Sequence, residues 1–592
     1  MAHLSTNDSP FRTTQRAPRS CRSCATRKVK CDKTVPCSTC IKRGEADTCT
    51  REMVIVRGEV KMWQDAPSIP IYAELSSENQ RLRLELESLR AQNGQVTSNK
   101  SSVKGQSPRS SSTWSPRQHR SDHDEEGLED RLWDSLSAAS IGTGSSVTSW
   151  ADIVFPDRTC SEQLIAYDRK WNSWVHYAVE YPQFEKECDS LISAIEAGSA
   201  IETQNPSWMA VYFSVLSAAL LMMGDDEAER LVLPGGYRDR RTMSHIWYDA
   251  AIFALWRADF MRAPSIHTVQ AVAVLGMCFN TWGDIELGQH MWRSALRVAQ
   301  RIGLNTSYSR AAGLCLSEEA QHRLWWTLVI CEWLNLPYRP PVIDEIDFDV
   351  PLPRVTSRKV DGNSAHDHVH YHIFMARSAT VVYRFRATIR SGLKSLDELT
   401  KAVRSADEEL AQIIDTLSPH LQPELGVENE EVRELEIDQP WVKWQRYDLT
   451  LVLLHLRLRL HRTLQAQWVT DPDEYGWAKA VSVSSAMSVI WINRNWDQPS
   501  SLRKQWYVQS TDLTLLGNAM YADRRRALSH HIFVSAILLL RQCETDGDGE
   551  IETYYEAIWA AIDLLESVKE WNMLAHHAAT ILRDCISRQF VN

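Results

Sequence analysis

The sequence predicts a mainly α-helical protein with a small cysteine-rich head, a short coiled coil, a disordered Ser-rich linker and a large all-α body. Three observations carry this expectation. Six of the thirteen cysteines fall between Cys21 and Cys49. Leucines recur every seven residues over 72–93, ahead of a Ser-rich stretch with little apolar content. From about Trp150 onward, apolar residues repeat at helical spacing, broken by short Pro/Gly interruptions and few strand-like alternations. With 592 residues, 44% of them hydrophobic, and 23 Trp, the chain has ample material for a large core.

In chain order, residues 1–18 are polar and expected to be disordered. The cysteine cluster occupies 19–50, a linker 51–71, a coiled-coil dimerisation helix 72–93, a disordered Ser-rich and acidic segment 94–148, and an all-helical domain 150–592. The N-terminal ten residues contain no apolar run of the kind a secretory signal needs. The apolar stretch from Ala210 to Met223 is too short to span a bilayer and reads as a buried helix, so no membrane contact is expected.

The net charge of −11 argues, taken alone, against a polyanionic partner. It conceals an asymmetry: Phe11 to Arg51 carries eleven Lys/Arg against three acids, or +8, and the remainder carries −19. A basic head on an acidic body is the electrostatic footprint of a polyanion-binding site placed at one end.

The head cysteines are spaced Cys21-x2-Cys24-x6-Cys31-x5-Cys37-x2-Cys40-x8-Cys49. Each of two CxxC pairs is followed by a third cysteine, and tetrahedral Zn²⁺ takes four such thiolates. Two zincs need eight ligand positions, so six sulfurs suffice only if two of them bridge. A redox site needs only one pair, and a disulfide framework needs a secretory context that this sequence lacks. Two Zn²⁺ per chain are therefore expected. The other seven cysteines are scattered among apolar neighbours and read as reduced core residues.

The stretch from Cys21 to Gly44, Cys-Arg-Ser-Cys-Ala-Thr-Arg-Lys-Val-Lys-Cys-Asp onward with Pro36 before Cys37, resembles the fungal zinc binuclear cluster (Zn2Cys6) transcription factors. That resemblance implies bridging by the first and fourth cysteines, Cys21 and Cys37. It implies a short helix after the second cysteine that enters the DNA major groove. By the same resemblance Lys28 is the candidate for contacting guanine O6/N7 in a CGG-like triplet, and Arg27, Lys30, Lys42 and Arg43 are candidate phosphate contacts. Ala25 stands where the family usually carries Arg or Lys. The stretch 265–355 is similar to that family's fungal-specific middle homology (regulatory) domain, with Tyr338-Arg339-Pro340 where members commonly have Gly-Arg-Pro.

In the heptads, Leu75, Leu82 and Leu89 take the d positions. Tyr72, Asn79, Leu86 and Asn93 take a, with Glu78 and Glu85 at g and Arg83 and Arg90 at e. A buried Asn79 would set register in a two-stranded parallel homodimer, and each Glu would face an Arg of the partner helix. Residues Asp122 to Leu136 mix acids with Leu128, Leu132, Trp133 and Leu136. This is the pattern either of an activation peptide that docks on a coactivator or of the first helix of the body.

In the body, Met291, Ala295, Val298, Ala299 and Ile302 share one helical face ahead of a Gly303 cap, and the next helix starts near Ser317. His366-x-His368-x-His370-x-His372 lacks the further ligands of a catalytic zinc site and reads as a solvated helix start. No GxSxG, P-loop or strand-linked GxGxxG occurs, so no enzyme is expected. The resulting expectation is a nuclear, DNA-binding RNA polymerase II transcription activator controlling a metabolic or secondary-metabolite gene cluster. The alternative is an effector-sensing repressor or scaffold. Expected partners are double-stranded DNA, a second copy of the chain, coactivators and a small-molecule effector.

Overall fold

A computed structural model describes residues 12–13, 20–31, 37–43, 49, 53–56 and 59–62, five residues between 128 and 135, and, with short breaks, 146–495 and 528–589. The chain divides into two compact units, Met1–Ser98 and Asn99–Asn592. The heptads at 72–93 lie outside the described residues.

In the first unit, strand β1 (Arg12–Thr13) is followed by helices α1 (Arg22–Arg27) and α2 (Ser38–Ile41), then strands β2 (Met53–Val56) and β3 (Glu59–Met62). β2 pairs antiparallel with β3, Val54 opposite Lys61, and parallel with β1, Arg12 opposite Val54. Two short pieces expected as disordered tail and linker are therefore strands. The local composition accounts for it: Val54, Ile55, Val56 and Val60 are β-branched, and Gly58 stands between the two antiparallel runs.

The second unit is helical. Its first half comprises α3 (Arg158–Trp171), α4 (Tyr181–Glu196), α5 (Pro206–Met222), α6 (Arg240–Arg257), α7 (Ile266–Leu275), α8 (Ile285–Arg301) and α9 (Glu318–Asn335). Its second half comprises α10 (Val369–Arg390), α11 (Leu396–Asp415), α12 (Glu430–Asp438), α13 (Trp441–Arg462), α14 (Pro472–Arg494), α15 (Leu528–Thr545), α16 (Ile551–Ser567) and α17 (Met573–Gln589). The α5 helix is apolar around its whole circumference and buried, with α3, α6 and α7 packed on it. In the second half α13 plays the corresponding part, contacted by α10, α11, α14 and α15. Among the described residues no helix is long and apolar enough to cross a membrane.

Local signals explain several boundaries. Met291, Ala295, Val298 and Ala299 bury one face of α8. The helix ends where Gly303, at φ +82°, donates to the Gln300 carbonyl at 3.1 Å and Leu304 donates to the Ala299 carbonyl at 2.9 Å. The Ser317 hydroxyl caps α9 by accepting from the Ala320 N–H at 3.3 Å. Beyond α9 the chain folds back on the helix: Trp326 and Trp333 donate to the carbonyls of Pro351 and Ile343, each at 2.9 Å. His372, expected in a solvated helix start, is instead buried, its Nε2 3.1 Å from the Thr327 hydroxyl. Val369 and Tyr371 bury beside it, so the turn packs against α9.

The segment 94–148, expected to be disordered, contains a docked piece. Leu128, Glu129, Arg131, Leu132 and Ser135 are helical. Glu129 is fully buried, 2.8 Å from an Arg462 guanidinium nitrogen and 3.7 Å from His530 Nε2. Burial would raise its carboxyl pKa, but Arg462 and Arg459 outweigh that and hold it well below the carboxylate range. Leu132 is buried, and the Ser135 hydroxyl lies 2.6 Å from His577 Nδ1. In the sequence Glu129 reads as one of seven acids in a solvated run, until Arg462 and His530, more than 300 residues downstream, are placed against it.

Candidate metal centre and nucleic-acid interface

The two halves of the head repeat one local device. Cys21 precedes α1 and its sulfur accepts the Cys24 backbone N–H at 3.3 Å. Cys37 precedes α2 and its sulfur accepts the Cys40 N–H at 3.4 Å. The Ala25 and Ile41 N–H groups donate to the Cys21 and Cys37 carbonyls, both at 2.9 Å. A cysteine at the start of a helical turn thus has its thiolate supported by a backbone dipole, and CxxC puts the second sulfur one turn on, facing the same point.

The sulfurs of Cys21, Cys24, Cys37 and Cys40 all lie within 4.8 Å of one another. Cys21 is 3.8 Å from both Cys37 and Cys40, and Cys24 is 3.6 Å from Cys37. Around tetrahedral zinc with Zn–S of about 2.3 Å, neighbouring sulfurs stand about 3.8 Å apart, so this spacing suits the ion. The Cys49 sulfur joins them by accepting the Cys37 N–H at 3.2 Å, and partly buried Cys31 packs against the group with Val29.

Crowded sulfurs do not share charge without a cation. Burial pushes the Cys21 thiol far above its usual range and Cys40 to about 12. At Cys37 burial acts in the same sense, but the Cys40 N–H and neighbouring thiols outweigh it and draw the thiol down to about 6. Zn²⁺ supplies the positive charge that lets all six ionise and ties the two helical turns into one fold. Among the described residues the knot is built of five buried cysteines with Val29 and Cys31 packed against them, so metal binding and folding are one event there.

Arg27 is the last residue of α1 and is exposed, as are Lys28 and Lys30 beyond it. Lys42 and Arg43 are exposed in the turn after α2, where the Arg43 N–H donates to the Cys40 carbonyl at 3.1 Å. The Thr39 hydroxyl donates to the Lys30 carbonyl at 3.0 Å and so joins the two basic turns. Lys28 has a feature the sequence did not announce: its φ is +56°. It donates to the Ala25 carbonyl at 3.3 Å while Val29 donates to the Cys24 carbonyl at 3.1 Å, the same ending that Gly303 makes for α8. A lysine occupies a position that favours glycine, at a cost of about 1–2 kcal/mol. The predicted dimerisation residues Leu75, Asn79, Leu82, Leu86 and Leu89 lie outside the described residues.

Comparison with known proteins agrees with this geometry. Residues 19–53 match the fungal Zn(2)-Cys(6) binuclear cluster domain, and residues 171–436 match the fungal specific transcription factor domain. The transcriptional regulator AacuB of Aspergillus aculeatus is 26% identical over 136 residues, which are 23% of this chain and 18% of that protein's length. Among solved structures, the K. lactis CBF3 core aligns with 79% of this chain and 92% of its own at 12% identity, with a TM-score of 0.49. Carrying a cluster domain that binds two zinc ions through six cysteines, followed by the fungal regulatory domain, the chain belongs to the fungal zinc binuclear cluster family of sequence-specific DNA-binding transcription regulators.

Proposed function

We propose that this chain is a nuclear, homodimeric activator of RNA polymerase II genes that recognises CGG-like half-sites, works without enzymatic activity and controls a metabolic or secondary-metabolite gene cluster. In this reading Cys21 and Cys37 bridge two zincs ligated also by Cys24, Cys31, Cys40 and Cys49. Lys28 reads guanine edges, Arg27, Lys30, Lys42 and Arg43 hold phosphates, and Leu75, Asn79, Leu82, Leu86 and Leu89 pair two chains. The single observation that carries it is a buried sulfur knot whose first helix ends in an exposed lysine held in the left-handed conformation.

That lysine separates recognition from folding. Lys28→Gly relieves the backbone by about 1 kcal/mol, so the head should retain zinc at higher chelator concentration than wild type. The same change should erase triplet preference. Lys42→Ala, in contrast, should weaken cognate and scrambled sites alike and lower the salt slope by about one. Mobility shifts on both sites over a salt series check this, and equal effects of the two changes on both sites would refute the division of roles.

A second reading, an effector-sensing repressor or scaffold, is favoured by one observation: Glu129 and Leu132 of the acidic segment are buried in the body. Residues 94–148 fused to a heterologous DNA-binding domain should drive a reporter if the activator reading holds. An inert fusion would give the second reading precedence.

A further inference from the structure

The docked piece of the acidic segment meets three helices of the second half of the body. Leu128, Glu129, Leu132 and Ser135 fall on one side of their own helix. Glu129 reaches Arg462, the last residue of α13, at 2.8 Å and approaches His530 of α15 at 3.7 Å. The Ser135 hydroxyl lies 2.6 Å from His577 Nδ1, and Arg131 lies 3.8 Å from Asp584, both on α17.

Charge makes this face selective. Arg459 and Arg462 both stand in the last turn of α13, and both act on the Glu129 carboxylate. Arg459 Nη1 is buried with no hydrogen-bond partner among the described residues. A basic helix would meet like charge here, and an apolar one would leave the guanidinium groups without a counter-charge. Leu132, fully buried, supplies the apolar half of the contact.

The contact is specific but incomplete. A carboxylate can accept about four hydrogen bonds, yet the Oε2 of fully buried Glu129 has no hydrogen-bond partner among the described residues. A buried ion pair repays its desolvation only when its remaining lone pairs are satisfied. Of the five described residues of this helix, only Glu129 and Leu132 are buried. Such a contact lies close to balance, and a tether holds it closed. Residues 136–145 lead from the helix to Ser146, whose backbone N–H and hydroxyl both donate to Asp249 at 2.6 Å. A tether this short gives the helix an effective concentration of about millimolar.

We infer that the face made by α13, α15 and α17 is a receptor for acidic, leucine-bearing helices, and that the chain's own residues 128–135 occupy it as a tethered, displaceable ligand. While they are seated, Glu129 and Leu132 are withheld from a coactivator. That consequence rests on the reading of the acidic segment as an activation peptide; the receptor itself does not.

The test is fluorescence anisotropy of a labelled peptide of residues 122–136 added to the full-length protein at pH 7. A site filled by its own segment in nine-tenths of the chains lowers the apparent affinity for a free ligand about tenfold. The peptide should therefore bind a Glu129→Gln chain about tenfold or more tighter than wild type. A peptide carrying Glu129→Gln should bind that chain about tenfold weaker than the unchanged peptide. Adding Arg462→Leu to the Glu129→Gln chain should weaken the unchanged peptide to the same degree, which excludes capture by the basic head. Should Glu129→Gln fail to fold, Leu132→Ala takes its place in the chain. Equal affinity for the wild-type and variant chains, no binding to either, or binding indifferent to Glu129 of the peptide or Arg462 of the chain would overturn the inference and make 128–135 a fixed part of the core. Amide-exchange protection of the wild-type segment that rises with protein concentration would put the ligand on a second copy and overturn its intramolecular form. An inert reporter fusion of 94–148 with the peptide result intact would remove the activation reading and leave the receptor standing.

Discussion

Cys21→Ala should abolish sequence-specific DNA binding and unfold the head while leaving the helical body intact. Cys21 sits 3.8 Å from two other cluster sulfurs and accepts a backbone N–H, so its loss removes a ligand and opens the start of α1. Structural zinc contributes apparent binding energies of about 10–16 kcal/mol to small metal-folded peptides at neutral pH, and among the described residues the buried core of the head is the cysteines themselves. Affinity should drop to the non-specific level, a loss of about a thousandfold or more. Zinc content should fall below two per chain, and chelation of the wild type should produce the same state. Far-UV circular dichroism should barely change, because Asn99–Asn592 forms its own compact unit and holds nearly all of the helix. Stoichiometric zinc and an unchanged mobility shift in the variant would contradict the assignment.

The largest effect expected in the body is at the ion pair that joins α11 to α13. Asp407 accepts two parallel hydrogen bonds from Arg457 at 2.6 and 2.9 Å, and both residues are buried. Asp407→Ala strips a buried guanidinium of its carboxylate, a change that costs about 3–5 kcal/mol. The paired change Asp407→Leu with Arg457→Met removes both charges at similar volume and should recover most of the loss, as measured by urea unfolding. A single variant that unfolds at the wild-type midpoint would show that the pair contributes nothing.

The pair also sets a pH dependence. Burial acts to raise the Asp407 pKa, but Arg457 and then His461 outweigh it, so the folded value lies below the unfolded one. A depressed acid contributes stability that is fully present above its unfolded pKa of about 3.9 and lost as pH falls through the lower folded value. Asp407→Ala should therefore flatten the acid limb of the stability curve and leave the limb above pH 5 parallel to wild type.

Periodicity and spacing made much of this molecule legible from its residues. The α8 face and its glycine cap are written locally, because the apolar stripe and the left-handed turn are properties of consecutive residues. The CxxC pairs are equally local: each puts two sulfurs one helical turn apart. The strand at Met53–Val56 was also locally readable from its β-branched run, with Val60 alone marking Glu59–Met62, but the polar surroundings and Pro67 and Pro70 made a linker the simpler expectation.

Other features had no local signal. Nothing in Thr-Arg-Lys-Val-Lys marks Lys28 as left-handed; the hydrogen bonds of Lys28 and Val29 to α1 carbonyls require it. Glu129 reads as one acid among several until Arg462 and His530 are brought to it.

Cysteine spacing and the clustering of positive charge alone were enough to specify a zinc-dependent head with a polyanionic partner, since metal coordination depends on a few sulfurs at short separation along the chain. Helical periodicity alone was enough to specify an all-α body. Which polar groups that body buries, and against what, was settled by long-range packing. The free energy of a buried charge or an unmet acceptor depends on neighbours that lie up to hundreds of residues away along the chain.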